Sequence, residues 1–116
     1  MSATATLDSV FSALGDPTRR RIVERLARGR QTISEVSTGF TMSQPAISKH
    51  VKILEQSGLV QREILGRVHH LHLSPKAMDA ASSWIETQRK YWNAALDRLD
   101  AYLEETAEKE RSNDGF

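Results

Sequence analysis

The chain has 116 residues, of which 39% are apolar and 27% are charged, a composition typical of one globular domain and not of a disordered segment. It contains no cysteine, which excludes disulfides and thiolate metal sites, and no apolar run approaches the roughly 20 residues that span a membrane. The first ten residues, MSATATLDSV, lack a basic start and an apolar stretch, so we expect a cytoplasmic protein without a secretory signal or a membrane partner.

The net charge of +1 conceals an uneven distribution along the chain. Residues 1–76 contain 11 Lys/Arg and 6 Asp/Glu, whereas residues 77–116 contain 5 Lys/Arg and 9 Asp/Glu. The first part is therefore suited to a polyanion, which the second part would repel. Acidic C-terminal segments are common, so this division indicates a nucleic-acid partner only weakly.

Three short amphipathic helices are predicted first. Their apolar residues recur every three or four positions: Leu7, Val10, Phe11 and Leu14 in the first, Ile22, Val23 and Leu26 in the second, and Ile33 and Val36 in the third. Asp16 followed by proline is an N-cap signal for the second helix. Gly15, Gly29 and Gly39 end the three helices.

A fourth helix begins after Ser43 and ends at Gly58. After it, the apolar residues no longer recur at helical spacing. Residues 59–64 and 68–73 are rich in branched residues, and the glycine-containing link between them predicts a β-hairpin. A long helix then starts at Pro75.

This order predicts a mainly α fold with a small β-hairpin wing, that is, a winged helix-turn-helix. We assign residues 1–108 to one DNA-binding and dimerisation domain, with the long C-terminal helix over residues 75–108. Residues 109–116 are polar, and we expect them to form a disordered tail.

The fourth helix is two-sided on a helical wheel. Its apolar arc is formed by Ala46, Ile47, His50, Val51, Ile53 and Leu54, and its outward arc by Gln44, Pro45, Ser48, Lys49, Lys52 and Gln56, with Glu55 near the edge. Amides suit adenine edges, hydroxyls suit bases or phosphates, and lysines suit guanine or the backbone. The N–H groups at the helix N-terminus add a further attraction for phosphate.

This face predicts contact with DNA through six residues: Ser43, Gln44, Pro45, Ser48, Lys49 and Lys52. The alternative is an ordinary solvated helix surface, and the preceding turn and following hairpin favour DNA. His50 lies in the apolar arc. We interpret it first as a partly buried, hydrogen-bonded histidine and second as a contact with the DNA backbone.

The hairpin carries basic residues suited to a neighbouring minor groove, since arginine is favoured where that groove is narrow. We predict wing contacts by Arg62 and Arg67. His70 and His72 share a strand face, but they have no evident third ligand, so exposed polar roles are the preferred interpretation over a metal site. The arginines of the second helix either contact phosphates or pair with carboxylates on a solvated face.

The segments FSALGDPTRRRIVERLARG and ISEVSTGFTMSQPAISKHVKILEQSGLVQREILGRVHHLHLSP together resemble the winged-helix repressors of the ArsR/SmtB family. The similarity extends over about residues 7–105. It implies a homodimeric repressor that binds an inverted repeat in a double-stranded DNA operator. By motif position, the family's DNA-reading residues correspond to Ser43, Gln44, Pro45, Ser48 and Lys49, with His50 as an additional candidate, and its wing residues lie around Arg62 and Arg67.

The chain departs from the metal-sensing members of that family. Arsenic and cadmium sensors use cysteines in the helix before the turn, where this chain has ISEVSTGF. Zinc and nickel sensors use Asp and His along the final helix, but no histidine follows His72. The segment MDAASSWIETQRKYWNAALDRLDAYLEE resembles a metal-independent branch, so we expect no metal and no cofactor, while an unknown small-molecule effector stays open.

The long helix has a wide apolar surface. Met78, Ala81, Ile85, Gln88, Trp92, Ala95, Leu99 and Tyr102 recur at alternating spacings of three and four, and a second stripe contains Trp84, Tyr91, Leu96 and Leu103. One small domain does not need so much apolar surface, so we predict a dimer interface formed by Leu7, Val10, Phe11, Leu14, Ile85, Trp92, Leu99 and Tyr102. The alternative is that the aromatic residues line a ligand pocket.

The function predicted from the sequence is a DNA-binding transcriptional repressor. The alternative is a winged helix that serves as a protein–protein interaction module, in which Lys49 and Lys52 would be dispensable. The chain has no glycine-rich phosphate loop, no set of metal ligands and no convincing nucleophile with a neighbouring base, so an enzyme is not expected.

Overall fold

The computed structural model describes residues 3–113, with side chains from Leu7 onward. Its elements are, in chain order, α1 (Ala3–Ala13), α2 (Pro17–Ala27), β1 (Gln31–Thr32), α3 (Ile33–Ser37), α4 (Gln44–Gln56), β2 (Val60–Leu65), β3 (Val68–Leu73) and α5 (Pro75–Asn113). The predicted mainly α fold with a hairpin wing is confirmed. Within this described range, no helix combines the length and apolar character of a membrane span.

The sheet has three antiparallel strands in the order β1-β3-β2. The hairpin register runs from Val60 opposite Leu73 to Leu65 opposite Val68, and Gly66 has a φ of 66° in the tight turn that joins the strands. This positive φ suits a residue without a Cβ. The strand β1 was not predicted, because its two residues are too short a stretch to show alternation.

Side-chain caps fix the starts of three helices. The Asp16 carboxylate accepts the Arg19 backbone N–H at 3.0 Å to begin α2, and Thr32 forms a reciprocal capping box with Glu35 to begin α3. The Ser43 hydroxyl oxygen accepts the Ala46 backbone N–H at 3.3 Å, which fixes the first turn of α4. Each cap satisfies an N–H group that the helix itself leaves without a partner.

The residues up to Ala81 form one compact unit with its own hydrophobic core. Six of its eight largest fully buried side chains come from α1 to α4, one comes from the residue before β2, and one comes from β3. They are Val10, Ile22, Val36, Ile47, Val51, Leu54, Leu59 and Leu71. In the helices these residues occupy the apolar positions that helical spacing predicted, but one residue of the apolar arc of α4 is not buried. Ile53, assigned to the apolar arc of the wheel, is 40% exposed.

The residues from Ser82 onward form a second unit that contains most of α5. Nearly all of its described side chains are exposed, including its large apolar ones. The helix continues to Asn113, which is longer than the sequence predicted: we expected its end near residue 108 and residues 109–113 in the tail. Strong helix formers, a Lys109–Glu105 pair at 3.8 Å and Arg111 in the last turn favour the longer helix. The last part of that segment, residues 114–116, lies outside the described residues.

Candidate nucleic-acid interface

The helix α4 is two-sided, as its sequence predicted. Ile47, Val51 and Leu54 are fully buried on one side. On the other side the first three turns present an amide, a proline ring, a half-buried hydroxyl and two cations: Gln44, Pro45, Ser48, Lys49 and Lys52. The apolar side anchors α4 in the core, so the orientation of the polar side is fixed by packing.

The beginning of α4 offers hydrogen-bond donors to an anion. Ser43 is exposed, and its oxygen is occupied as the cap of Ala46, so its O–H group remains able to donate. The positive end of the helix dipole lies in the same turn. This combination suits a phosphate group.

His50 is partly buried and hydrogen-bonded, in agreement with our first interpretation. Its Nδ1 lies 3.3 Å from Arg19 Nη1 and 3.9 Å from the Asp16 carboxylate. The Arg19 backbone N–H, followed by the neighbouring charges of His50 and Arg19, lowers the pKa of Asp16 below its usual value. His50 therefore has a structural role between α2 and α4, and its contact with DNA stays a prediction.

The first turns of α4, the segment around the start of α3 and the hairpin wing border one groove of about 380 Å³. The groove is lined by Thr32, Ile33, Ser34, Gln44, Ser48, Arg62, Arg67, Val68 and His69. Two predicted recognition-helix residues and both predicted wing residues thus border the same space. The sequence did not predict that His69 belongs to this set.

Within the wing, the two predicted arginines differ in their surroundings. Arg62 is partly buried and donates to Glu55 through Nε at 3.3 Å and Nη2 at 2.5 Å, and its Nη1 lies 2.9 Å from His69 Nδ1. The Arg62 guanidinium is therefore engaged by Glu55 and His69 while it borders the groove, and its contact with DNA stays a prediction. Arg67 is exposed beside Gly66.

Three cations of α4 and the wing remain available to a ligand. The side chains of Lys49, Lys52 and Arg67 are exposed and form no hydrogen bond or ion pair with any residue in the range 3–113. Their charge is not neutralised by a neighbouring carboxylate. They are suited to DNA phosphates or, for Arg67, to a minor groove.

Three of the four arginines of α2 bind main-chain carbonyl groups, which neither of our two interpretations predicted. Arg19 Nε donates to Ala13 O at 2.6 Å, Arg20 Nη1 donates to Leu14 O at 2.8 Å, and Arg25 Nη1 donates to Val36 O at 2.7 Å. They satisfy carbonyl groups at the end of α1 and in α3. The sequence signal was the position of Arg19 and Arg20 shortly after the end of a helix.

The opposite face of the hairpin is held by polar pairs. His72 Nε2 lies 3.1 Å from Gln61 Oε1, and Arg30 forms an ion pair with Glu63. The hydrogen bond from Arg30 and its positive charge lower the pKa of Glu63. Among the described residues, no three His, Cys, Asp or Glu side chains are arranged to hold a metal ion.

The predicted dimer residues differ in exposure. Val10 is fully buried in the core of its own chain and offers no surface to a partner, which corrects its assignment to the interface. Leu7 and Leu14 are half-buried, and Phe11 is exposed. In the second unit Ile85, Trp92, Leu99 and Tyr102 are exposed, with Trp92 at 65% and Tyr102 at 63%.

Comparison with known proteins supports the interpretation that this chain is a DNA-binding transcriptional regulator. Residues 16–62 match the family model described as "Bacterial regulatory protein, arsR family". The chain is similar to the HTH-type transcriptional regulator Rv2034 of Mycobacterium tuberculosis, with 34% identity over 83% of this chain and 87% of the relative. It is also similar to the transcriptional repressor SdpR of Bacillus subtilis, with 30% identity over 68% of this chain and 88% of the relative.

Among solved structures, a crystal structure of an ArsR family transcriptional regulator is similar to this chain with a TM-score of 0.71. The two sequences are 36% identical, and the similarity covers 76% of this chain and 97% of that chain. The matched family model begins at the cap of α2 and ends within β2, so it includes the helix-turn-helix and the first half of the first wing strand.

Proposed function

This chain belongs to the ArsR family of bacterial transcriptional regulators, and from that premise we propose that it is a homodimeric repressor that binds an inverted-repeat operator. We treat residues 1–108 as the domain responsible for DNA binding and dimerisation. Its relatives named above are a transcriptional regulator and a transcriptional repressor. DNA binding follows from the family, whereas the operator symmetry, the contact residues and the dimer are the content of the proposal.

The groove between α4 and the wing carries this proposal. Gln44 and Ser48 from the first turns of α4 border it together with Arg67 from the wing. A major groove admits one helix, and a hairpin beside that helix reaches the adjacent minor groove or backbone. One DNA duplex would thus contact both elements at the same time.

Each contact residue has a chemical role in this arrangement. The Gln44 amide and the Ser48 hydroxyl read base edges, and Ser43 donates to a phosphate. Lys49 and Lys52 are exposed cations that neutralise phosphates, and Arg67 enters the minor groove. Pro45 fixes the first turn of α4 and contacts the DNA only through its ring.

A second copy of the chain is the proposed partner of the exposed apolar side chains. Ile85, Trp92, Leu99 and Tyr102 recur at spacings of seven, seven and three residues, so they lie along one stripe of α5, and all four are exposed. Exposed apolar patches of this kind mark interaction surfaces. A twofold dimer would present two copies of α4 about one DNA turn apart, which matches an inverted repeat.

We also propose that this repressor has no metal site formed by thiolates or by the C-terminal helix, so that a metal bound in either way is not its inducing signal. The chain has no cysteine and has no histidine after His72. A small-molecule effector is compatible with this proposal, and its chemical class stays open.

The proposal is tested by selecting DNA fragments with the purified protein, sequencing them, and measuring affinity for the selected site by fluorescence anisotropy. We expect an inverted repeat, with binding that weakens as salt increases. Gln44→Ala and Ser48→Ala should reduce discrimination between the selected site and a scrambled one. Failure of the folded protein to bind any fragment would refute the proposed operator function.

The dimer is tested separately by sedimentation velocity. Leu99→Glu places a charge in the proposed apolar stripe and should convert the dimer to a monomer, with weaker binding to the inverted repeat. Glu104→Gln is a control on the same helix. A wild-type protein that sediments as a monomer at micromolar concentration would refute the dimer.

A further inference from the structure

Arg62 joins the end of α4 to the second wing strand. Its Nε and Nη2 donate to the two oxygens of Glu55 in the last turn of α4, and its Nη1 lies 2.9 Å from Nδ1 of His69 on β3. All three side chains are half-buried. The guanidinium therefore uses its planar fork to hold a carboxylate on one side and an imidazole on the other.

This arrangement fixes the tautomer of His69. An arginine side chain has only N–H donors, so the Nδ1 atom that faces Arg62 acts as the acceptor. A neutral imidazole that accepts at Nδ1 carries its hydrogen on Nε2. His69 thus retains one hydrogen-bond donor that the contact with Arg62 does not use.

That donor belongs to a side chain of the DNA-binding groove. His69 borders the groove together with Gln44, Ser48 and Arg67. His70 and His72, its neighbours on β3, lie on the opposite strand face, and His72 Nε2 is close to Gln61 there. Of the three wing histidines, His69 is the one that borders the groove.

Building on the proposed function, we propose that His69 contacts the operator by donating its Nε2–H to an acceptor atom of the DNA, and that Arg62 and Glu55 are positioning residues for it. Phosphate oxygens and base-edge oxygens or nitrogens are the two sources of such an acceptor. Because the donor is the N–H group of a ring whose other nitrogen accepts from Arg62, the contact adds a hydrogen bond without releasing a counterion.

Two nearly isosteric substitutions separate the two ring nitrogens. His69→Asn retains an oxygen near the position of Nδ1, so it still accepts from Arg62, but it has no group at the position of Nε2. His69→Gln places an amide N–H near Nε2 and loses the acceptor near Nδ1. His70→Asn is the matched control on the other strand face, and thermal unfolding checks that all three variants fold.

For affinity to the selected operator, we expect His69→Asn to cause a loss of about three- to tenfold, the range of one net hydrogen bond. His69→Gln should retain more affinity than His69→Asn, and His70→Asn should bind as the wild type does. The dependence of affinity on salt should keep its slope in His69→Asn, because no cation is removed. A loss on operator and scrambled DNA alike indicates a phosphate acceptor, and a loss on the operator alone indicates a base edge.

The positioning role is tested by a double-mutant cycle with Arg62→Lys, which keeps the charge but not the planar fork. If Arg62 acts through His69, then His69→Asn should have little further effect on affinity in the Arg62→Lys background. Additive losses would refute the positioning role. Unchanged affinity in His69→Asn, or an equal loss in His69→Gln, would refute the contact while leaving the proposed function intact, because the wild type would still bind.

Discussion

The helices α2 and α4 both carry several cationic side chains, but the two helices use them in different ways. Arg19, Arg20 and Arg25 of α2 each donate to a main-chain carbonyl at 2.6–2.8 Å. Lys49 and Lys52 of α4 are exposed and have no hydrogen bond or ion pair with the part of the chain that the structure describes. The arginines of α2 stabilise the fold, whereas the lysines of α4 are available to DNA.

This difference shows that the number of positive charges in a segment does not identify a DNA-binding surface. A guanidinium near a helix C-terminus finds carbonyl groups that the helix leaves unsatisfied, and its donors are used there even when the side chain is exposed, as in Arg20. An ammonium on the outward side of a helix whose other side is buried stays in solvent. Substitutions in the two helices should therefore change two different quantities, the free energy of unfolding and the affinity for DNA.

The largest expected effect comes from removing the available cations. The combined substitution Lys49→Ala, Lys52→Ala and Arg67→Ala should reduce operator affinity by at least about 100-fold at physiological salt, because each phosphate contact contributes counterion release. The slope of log affinity against log salt should become shallower by about 0.9 for each phosphate that the variant no longer neutralises. Fluorescence anisotropy at several salt concentrations measures both quantities.

Arg20→Met is the matched control for this triple variant. Arg20 is exposed and cationic, but it donates to Leu14 O. We expect Arg20→Met to leave the salt slope unchanged. An equal change of salt slope in the control and in the triple variant would show that the arginines of α2 contact phosphates as much as the cations of α4 and the wing do.

The second prediction concerns stability. Arg25 donates to Val36 O, and its guanidinium lies 4.4 Å from the centre of the Phe40 ring. Arg25→Met removes a charged hydrogen bond and a cation–π contact, so we expect the free energy of unfolding to fall by about 2 kcal/mol. Urea denaturation measures this loss, and the salt slope of DNA binding by the folded variant should not change.

The sequence predicted the helices, the hairpin and the two-sided character of α4 because these depend on local spacing, caps and glycines. The uses of individual arginines depend on contacts between elements far apart in the chain. Arg62 and Glu55 are close in sequence and in space, but their pairing requires the turn between α4 and β2 to have its actual geometry. Val10 was assigned to the interface because helical spacing does not distinguish a core side from a dimer side.

The third prediction is a dependence of stability on pH at the start of α2. The Arg19 backbone N–H, followed by the charges of His50 and Arg19, lowers the pKa of Asp16 in the folded chain. A group whose pKa is lowered on folding stabilises the protein above its unfolded value, about 3.9 for aspartate, and this contribution disappears as the pH falls through the folded value. We therefore expect the wild type to lose stability below about pH 4.

Asp16→Asn keeps a good N-cap residue but removes the titrating group. We expect it to be less stable than the wild type at neutral pH and to show a weaker decrease of the urea midpoint between neutral and acidic pH. If the urea midpoints of the two proteins changed with pH in parallel, Asp16 would not contribute to the pH dependence of stability. Because Asp16 belongs to the α2 side of the comparison, DNA affinity at neutral pH should change much less than in the triple cation variant.

The smallest effect is expected at Arg30, which follows α2 and pairs with Glu63 on the wing. Both side chains are exposed, and an exposed ion pair contributes little to stability because water and salt screen it. Arg30→Gln should change neither the unfolding midpoint nor the operator affinity measurably, and Glu63→Gln is its matched partner variant. If Arg30→Gln instead made the salt slope shallower by about 0.9, Arg30 would be a phosphate contact and would belong with the cations of α4. In that case the carboxylate of Glu63 would compete with DNA for the same guanidinium, and Glu63→Gln would strengthen binding.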